Sequence, residues 1–130
     1  MIIFEIHCVP NAQKQTQFAK GRDYDPRKIE KEAIQWQIRP YAPKEPYTGP
    51  VSLDITFCLP IPQSTGRSMQ KQMSNNSIAH TKNPNINNLN YLVVNAMKDI
   101  IYRDDSQIVS LSLNKRYSDD PKTIVKVREL

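Results

Sequence analysis

Apolar and polar residues alternate without a break in Val51-Ser-Leu-Asp-Ile-Thr-Phe-Cys-Leu59. Successive side chains of a β-strand point to opposite faces of its sheet, so this pattern predicts a strand with one face in the core. Pro60 and Pro62 follow directly, and proline is disfavoured inside a sheet because it lacks a backbone N–H donor. We therefore predict a strand over residues 51–59.

Five further elements are predicted from hydrophobic periodicity and from the residues that flank each segment. They are strands over residues 2–9, 109–114 and 123–128, a helix that starts at Asp25-Pro26 and ends before Pro40, and a helix over residues 87–98. The polar, basic segments 11–22 and 63–79 lack an apolar period and predict loops, the second with room for a short helical turn. The order β-α-β-α-β-β predicts one α+β domain over residues 1–130, with two main helices packed on a mixed sheet.

Composition and charge narrow the class of protein. A chain of 130 residues is long enough for one domain with one core. Its 18 Lys and Arg against 13 Asp and Glu give a net charge of +5, which suits a polyanionic partner but is also found on basic surfaces that bind no nucleic acid. The sequence has no apolar run near eighteen residues, so we expect no membrane span and a cytoplasmic location.

Three individual side chains are predicted to be buried. Cys8 and Cys58 each lie in an apolar run and predict reduced, buried thiols, since neither belongs to a Cys-x-x-Cys or zinc-binding spacing. Trp36 lies among apolar residues of the first predicted helix and is expected in the core.

Residues 80–107 hold the residues of greatest chemical interest. The segment begins His80-Thr-Lys-Asn-Pro-Asn85-Ile-Asn87-Asn-Leu-Asn-Tyr91, continues as an apolar helix and ends Asp104-Asp105-Ser-Gln107. Taken alone, the two Asp predict turn residues and the Asn predict helix-capping residues.

The spacing of this segment resembles the RusA family of Holliday junction resolvases, whose motif is Pro-Asp-x-Asp-Asn-Leu-x-Lys, an apolar helix and Asp-Asp-x-Gln. Further short matches follow in the family's order along nearly the whole chain. They are Val9-Pro10, Lys14-Gln15, Tyr24-x-Pro26, Gly49-Pro50-Val51, Phe57-x-Leu59-Pro60, His80-Thr81-Lys82 and Tyr102 through Tyr117-Ser118-Asp119. The resemblance implies a homodimeric, Mg²⁺-dependent endodeoxyribonuclease that resolves four-way DNA junctions in recombination and repair.

By this resemblance the catalytic positions are Asn85, Asn87, Tyr91 and Asp105, and the metal positions are Asn85, Asn87, Asp105 and Asp104. The family motif has Asp at positions 85 and 87 and Lys at position 91. An Asn carbonyl brings no charge, and one unit charge about 4 Å away is worth about 4 kcal/mol at an effective dielectric near 20. We therefore expect weakened Mg²⁺ binding and impaired cleavage. Asn95 also lies where the family usually has Asp. Natural divergence would explain all four replacements, whereas engineering to trap a nuclease on DNA would not explain Tyr91.

Basic residues on the predicted loops are candidate phosphate contacts, because Lys and Arg dominate affinity for DNA. They are Lys14, Lys20, Arg22, Lys71, Lys82 and Arg103, joined by His80. A solvated surface is the alternative for each cation, and a structural role is the alternative for the histidine. The first functional hypothesis is a RusA-like endodeoxyribonuclease with impaired cleavage. A catalytically inactive branched-DNA-binding protein is the alternative, and a protein that binds only other proteins is the third possibility.

Overall fold

Four strands form one mixed sheet in the computed structural model, which describes residues 1–11 and 26–130. Helices α1 and α3 pack against each other and against one face of this sheet. In chain order the elements are β1 (Ile2–Ile6), α1 (Pro26–Ile38), β2 (Val51–Pro60), α2 (Arg67–Ser74), α3 (Ile86–Met97), β3 (Ile108–Ser118) and β4 (Lys122–Glu129), with short 3-10 turns at Arg39–Tyr41 and Asp105–Gln107. The predicted α+β class, with two main helices on a mixed sheet, is confirmed.

The sheet combines antiparallel and parallel neighbours in the order β1-β4-β2-β3. Strand β4 runs antiparallel to both β1 and β2, whereas β2 and β3 are parallel. The alternation predicted for β2 is confirmed, because Val51, Leu53, Ile55 and Phe57 are each no more than 1 % exposed. Parallel neighbours need a long crossover connection, and residues 61–107 supply it with α2 and α3.

Helix α3 is the element predicted over residues 87–98, and its apolar stripe lies in the core as predicted. The buried side chains of this helix are Leu89, Leu92, Val93, Val94, Ala96 and Met97. They meet α1, which buries Ile34 and Ile38. Residues four positions apart share a helix face, so Asn87, Tyr91 and Asn95 lie along a second, more polar face of α3.

Two predicted strand boundaries are wrong. Strand β1 ends at Ile6 instead of continuing to position 9, and β3 continues to Ser118 instead of ending at position 114. The segment 63–79, predicted as a loop with room for a short helical turn, contains the eight-residue helix α2, which follows Gly66 and buries Met73. The length of α2 was not predicted, because it offers few apolar side chains to reveal a helical period.

The prediction that Trp36 lies in the core is also wrong, because its side chain is 73 % exposed. Two residues along a helix correspond to a rotation of about 200°, so burial of Ile34 and Ile38 turns Trp36 away from the sheet. Ile29 and Trp36 form a second apolar stripe on α1, and periodicity alone cannot choose between two stripes. The Arg39 guanidinium carbon lies 5.6 Å from the centre of the Trp36 ring, which is a cation–π contact.

Two further predictions concern the burial of the two cysteines and the possibility of a helix that spans a membrane. Cys58 is buried as predicted, but the prediction for Cys8 is wrong because this residue lies beyond the end of β1 and is exposed. Over residues 1–11 and 26–130, no helix combines the length and the apolar character needed to cross a bilayer.

Tyr102 connects the end of α3 to the turn before β3 through hydrogen bonds. Its side chain is fully buried, and its hydroxyl donates a hydrogen bond to the Val94 carbonyl oxygen at 2.7 Å. The last four carbonyl groups of a helix have no partner within the helix, so this bond satisfies one of them. The Tyr102 backbone carbonyl accepts a hydrogen bond from the Asp99 N–H at 2.7 Å, which closes the turn between α3 and Arg103.

We predict that Tyr102→Phe lowers the free energy of unfolding by about 1–3 kcal/mol, because it leaves the buried Val94 carbonyl without its partner. Urea denaturation followed by circular dichroism measures this difference. Tyr91→Phe, which removes the same hydroxyl from a side chain that is 60 % exposed, should change stability by less than about 0.5 kcal/mol. Equal stability of the two variants would contradict the role assigned to Tyr102.

Candidate functional site

The first site positions lie where α3 begins. Asn85 directly precedes the helix with an extended backbone (φ −67°, ψ 143°), and its carbonyl accepts a hydrogen bond from the Leu89 N–H at 3.1 Å. Its side chain makes no capping hydrogen bond, and both Asn85 and Asn87 are exposed. Helix capping therefore does not account for the Asn85 side chain, whose amide faces solvent.

The second set of site positions lies in the turn before β3, where the Asp104 carboxylate contacts other residues of the protein. Its carboxylate accepts a hydrogen bond from the Ser106 N–H at 3.0 Å and lies 3.3 Å from the Lys98 ammonium. The Ser106 hydrogen bonds, followed by the one from Lys98, lower the pKa of Asp104 to about 2. Because the pKa is lowered on folding, the stabilisation of this turn is present above the ordinary Asp pKa and is lost as the pH falls through about 2.

Gln107 completes this turn and ties it to the start of β2. Its side-chain oxygen accepts a hydrogen bond from the Asp104 N–H at 2.8 Å, so Asp104 and Gln107 cap each other. Its amide nitrogen donates to the carbonyl oxygens of Tyr47 at 2.7 Å and Gly49 at 2.8 Å. All three bonds hold the 104–107 turn at a fixed position beside residues 47–49.

Asp105 lies on this fixed turn and lines an open groove between α3 and β3. Asn90, Tyr91 and Asn95 line the groove from the helix side. The side-chain oxygen of Asn90 is buried and, among the described residues, has no hydrogen-bond partner. The structure thus brings two predicted site residues, Tyr91 and Asp105, to one groove, and Asn87 lies one helical turn before Tyr91 on α3.

The predicted phosphate contacts fall into three groups. Lys82 and Arg103 are exposed on the segments that lead into α3 and into the 104–107 turn. Lys71 is exposed on α2, where it lines a polar groove together with Arg67 and Asp119. The remaining three predicted cations, Lys14, Lys20 and Arg22, lie outside the described residues.

His80 is packed inside the protein. Its side chain is buried, and its ring centre lies 4.4 Å from that of Tyr117. Burial, with a further contribution from the nearby Lys115 charge, lowers the pKa of His80, so the neutral ring is favoured. Its Nδ1 atom has no hydrogen-bond partner among the described residues. This environment suits a packing role better than a contact with phosphate.

Lys115 is a residue near the site that the sequence analysis did not select. It extends from β3, and its ammonium donates hydrogen bonds to the carbonyl oxygens of Lys82 at 2.6 Å and Pro84 at 3.0 Å. The predicted strand ended at position 114, so the sequence offered no reason to align Lys115 with the segment before α3. Recognising that β3 continues beyond position 114 would have placed Lys115 on the strand.

Comparison with known proteins assigns the family. The family model described as endodeoxyribonuclease RusA matches residues 6–128. The chain belongs to the RusA endodeoxyribonuclease family. It is also similar to YqaN, an uncharacterized protein of Bacillus subtilis (strain 168), with 32 % identity over 111 residues that cover 84 % of this chain and 78 % of YqaN. RusA-family nucleases act on branched DNA junctions and generally depend on divalent metal ions, so family membership indicates DNA as the partner.

The predicted metal positions of this RusA-family chain offer few carboxylate oxygens to a Mg²⁺ ion. Mg²⁺ prefers carboxylate oxygens, but Asp105 shares the groove with amide side chains, and Asp104 is bonded within its own turn. In the described part of the chain, no group of three or more His, Cys, Asp and Glu side chains is placed to hold a metal ion. The assignment of Asn85, Asn87, Asp104 and Asp105 as metal ligands stays a prediction.

We predict that Gln107→Glu destabilises the protein by roughly 2 kcal/mol near pH 7, because it replaces an amide donor with a carboxylate facing the Tyr47 and Gly49 carbonyl oxygens. Urea denaturation measures the change. The difference in stability between this variant and the unmodified protein should become smaller as the pH falls towards about 4, because protonation of the introduced carboxylate removes its charge and restores a hydrogen-bond donor. Gln63→Glu makes the same change at an exposed position and should leave stability nearly unaltered. A Gln107→Glu protein as stable as this control would show that Gln107 does not hold the turn.

Proposed function

We propose that this chain is a RusA-family endodeoxyribonuclease that binds four-way DNA junctions and whose cleavage is impaired. The observation that carries the proposal is the groove between α3 and β3. Asp105, which corresponds to the second Asp of the family's Asp-Asp pair, lines this groove. Amide side chains occupy motif positions 85 and 87 at the start of α3. The scaffold for a nuclease site is retained, and its charge is reduced.

Exposed cations beside the two site segments support DNA as the ligand. Lys82 precedes α3 and Arg103 precedes the 104–107 turn, so each flanks one of the two segments that form the site. Lys71 and Arg67 on α2 extend the basic surface beyond the groove. Because DNA affinity arises largely from Lys and Arg contacts with phosphates, these residues provide the affinity for the junction backbone.

Impaired cleavage follows from the charge of the donor groups. We propose Mg²⁺ as the ion of the family chemistry, which supplies charge neutralisation and an activated water in phosphodiester hydrolysis. Asn85 and Asn87 each offer a neutral oxygen in place of a carboxylate, so two units of negative charge are missing where a dication would bind. Tyr91 provides a hydroxyl but no positive charge at the motif's Lys position.

We further propose that the active assembly is a homodimer. A four-way junction is nearly two-fold symmetric, and resolution requires a cut in each of two opposing strands. Residues 1–11 and 26–130 of one protomer form one groove of the kind described above. Two copies related by a two-fold axis would therefore present one groove to each of the two strands.

Binding without any cleavage is a second candidate function, and the amides at positions 85 and 87 favour it. Carboxylates repel a phosphate unless a metal ion neutralises them, whereas amides do not. A site built with Asn85 and Asn87 is thus better suited to hold a phosphate than to hold a dication.

We predict that Asn85→Asp/Asn87→Asp binds Mg²⁺ at least about 100-fold more tightly than the present chain and gains Mg²⁺-dependent cleavage of a labelled four-way junction. Isothermal titration calorimetry measures metal binding, and gel electrophoresis of the cleaved junction measures activity. A third protein that adds Tyr91→Lys tests whether the missing cation also limits cleavage.

Ser52→Glu/Thr56→Glu provides the matched control, since it adds the same charge on the sheet face that does not carry the helices and should create no cleavage. Cleavage by the reverted protein with binding alone by the present chain would support impaired catalysis. Junction binding by every variant without cleavage by any of them would favour the second candidate. If neither the present chain nor the reverted protein binds junctions, the DNA-binding function is wrong.

A further inference from the structure

The Lys115 ammonium is held close to the first site position by two backbone oxygens. Its hydrogen bonds to the carbonyls of Lys82 and Pro84 measure 2.6 and 3.0 Å. The Pro84 carbonyl belongs to the peptide bond that joins Pro84 to Asn85. A positive charge on β3 is therefore fixed within a few ångströms of the backbone of Asn85, although the two residues are 30 positions apart in sequence.

The charge of Lys115 is available to an anionic ligand. In residues 1–11 and 26–130, no carboxylate lies within salt-bridge distance of its ammonium, whereas Lys98 pairs with Asp104 and Lys122 pairs with Glu5. A lysine ammonium has three N–H donors, and the two carbonyl oxygens use two of them. The residue is partly exposed, so a ligand can approach its charge, and the two carbonyl oxygens do not use the third donor.

Fixation also distinguishes Lys115 from an ordinary surface lysine. A free lysine loses much of its side-chain entropy when a contact orders it. The two carbonyl bonds already order the Lys115 side chain, so a phosphate contact at this position requires little further ordering. Tyr91 replaces the lysine of the family motif, so Lys115 supplies a positive charge near the start of α3 that the motif position does not supply.

We propose that Lys115 binds a backbone phosphate of the DNA junction at the α3 end of the site and that the Lys82 and Pro84 carbonyls hold it ready for this contact. The inference rests on the proposed function and deepens it, because it names a residue that contacts the substrate.

The test measures the affinity for a fluorescent four-way junction at several NaCl concentrations. Loss of one phosphate contact lowers the slope of log affinity against log salt by about 0.9, so Lys115→Met should lower it by about that amount. Lys115→Arg should retain the slope, because it retains the charge. Lys126→Met makes the same change on the sheet face that does not carry the helices, and it should leave the slope unaltered.

A second comparison separates a direct contact from an effect on Lys82. If Lys115 contacts phosphate itself, Lys115→Met lowers the slope by about 0.9 in the Lys82→Met background as well. No further decrease in that background would overturn the proposal and leave Lys115 as a support for Lys82. Lys115→Gln, which keeps hydrogen-bond donors without the charge, repeats both comparisons if Lys115→Met fails to fold.

The outcomes also separate this inference from the proposed function. If the unmodified protein binds the junction with a steep salt dependence and the Lys115 variants keep its slope, the inference alone is wrong. An equal decrease for Lys126→Met would also overturn it, because net charge would then explain the effect. If the unmodified protein shows no salt-dependent junction binding, the proposed function fails and the inference fails with it.

Discussion

The parallel pairing of β2 with β3 determines where the site forms. Parallel neighbours cannot be joined by a tight turn, so the chain leaves β2, crosses through α2 and α3 and returns to the end of the sheet where β2 starts. At that end the Arg103 N–H donates to the Tyr47 carbonyl at 3.2 Å, and Gln107 bonds to the same residue and to Gly49. Asp105 sits between these two anchors, and its position beside α3 follows from the crossover.

The contacts that hold the fold are separate from the residues whose charge decides the chemistry. Tyr102 ends α3, while Asp104 and Gln107 build the turn, and none of their described hydrogen bonds involves Asn85, Asn87 or Asp105. Carboxylates gathered in one site repel each other and commonly lower stability, so replacing them with amides need not weaken the fold. A RusA-family chain can therefore change its metal-binding residues and keep its architecture, which is why family membership alone does not establish cleavage.

The parts of the fold that the sequence predicted are those whose periodicity has a single interpretation. Strand β2 and helix α3 each have one apolar face, and both are buried as expected. Helix α1 has two apolar stripes, so Trp36 was assigned to the wrong one, and α2 has too few apolar residues to show a period. For the site, the motif spacing predicts the Asn and Asp positions. The contact of Lys115 with Pro84 joins segments 31 residues apart, so it exists only after the crossover has formed and could not be predicted from local sequence.

Asn85 and Asn87 make the predicted metal-binding positions less negative than carboxylates at the same positions would. Three carboxylates at positions 85, 87 and 105 would repel DNA until a dication bound, so metal binding and phosphate binding would depend on each other. With Asn85 and Asn87 in place, Asp105 is the one carboxylate left among these three positions. Lys82 and the Lys115 ammonium lie near the start of α3, and Arg103 lies two residues before Asp105. Phosphate can then approach without prior neutralisation by a metal ion. Under the proposed function, the same substitutions that would weaken a metal site would also remove the electrostatic barrier to DNA binding, and a family scaffold built for cleavage would become better suited to holding a junction.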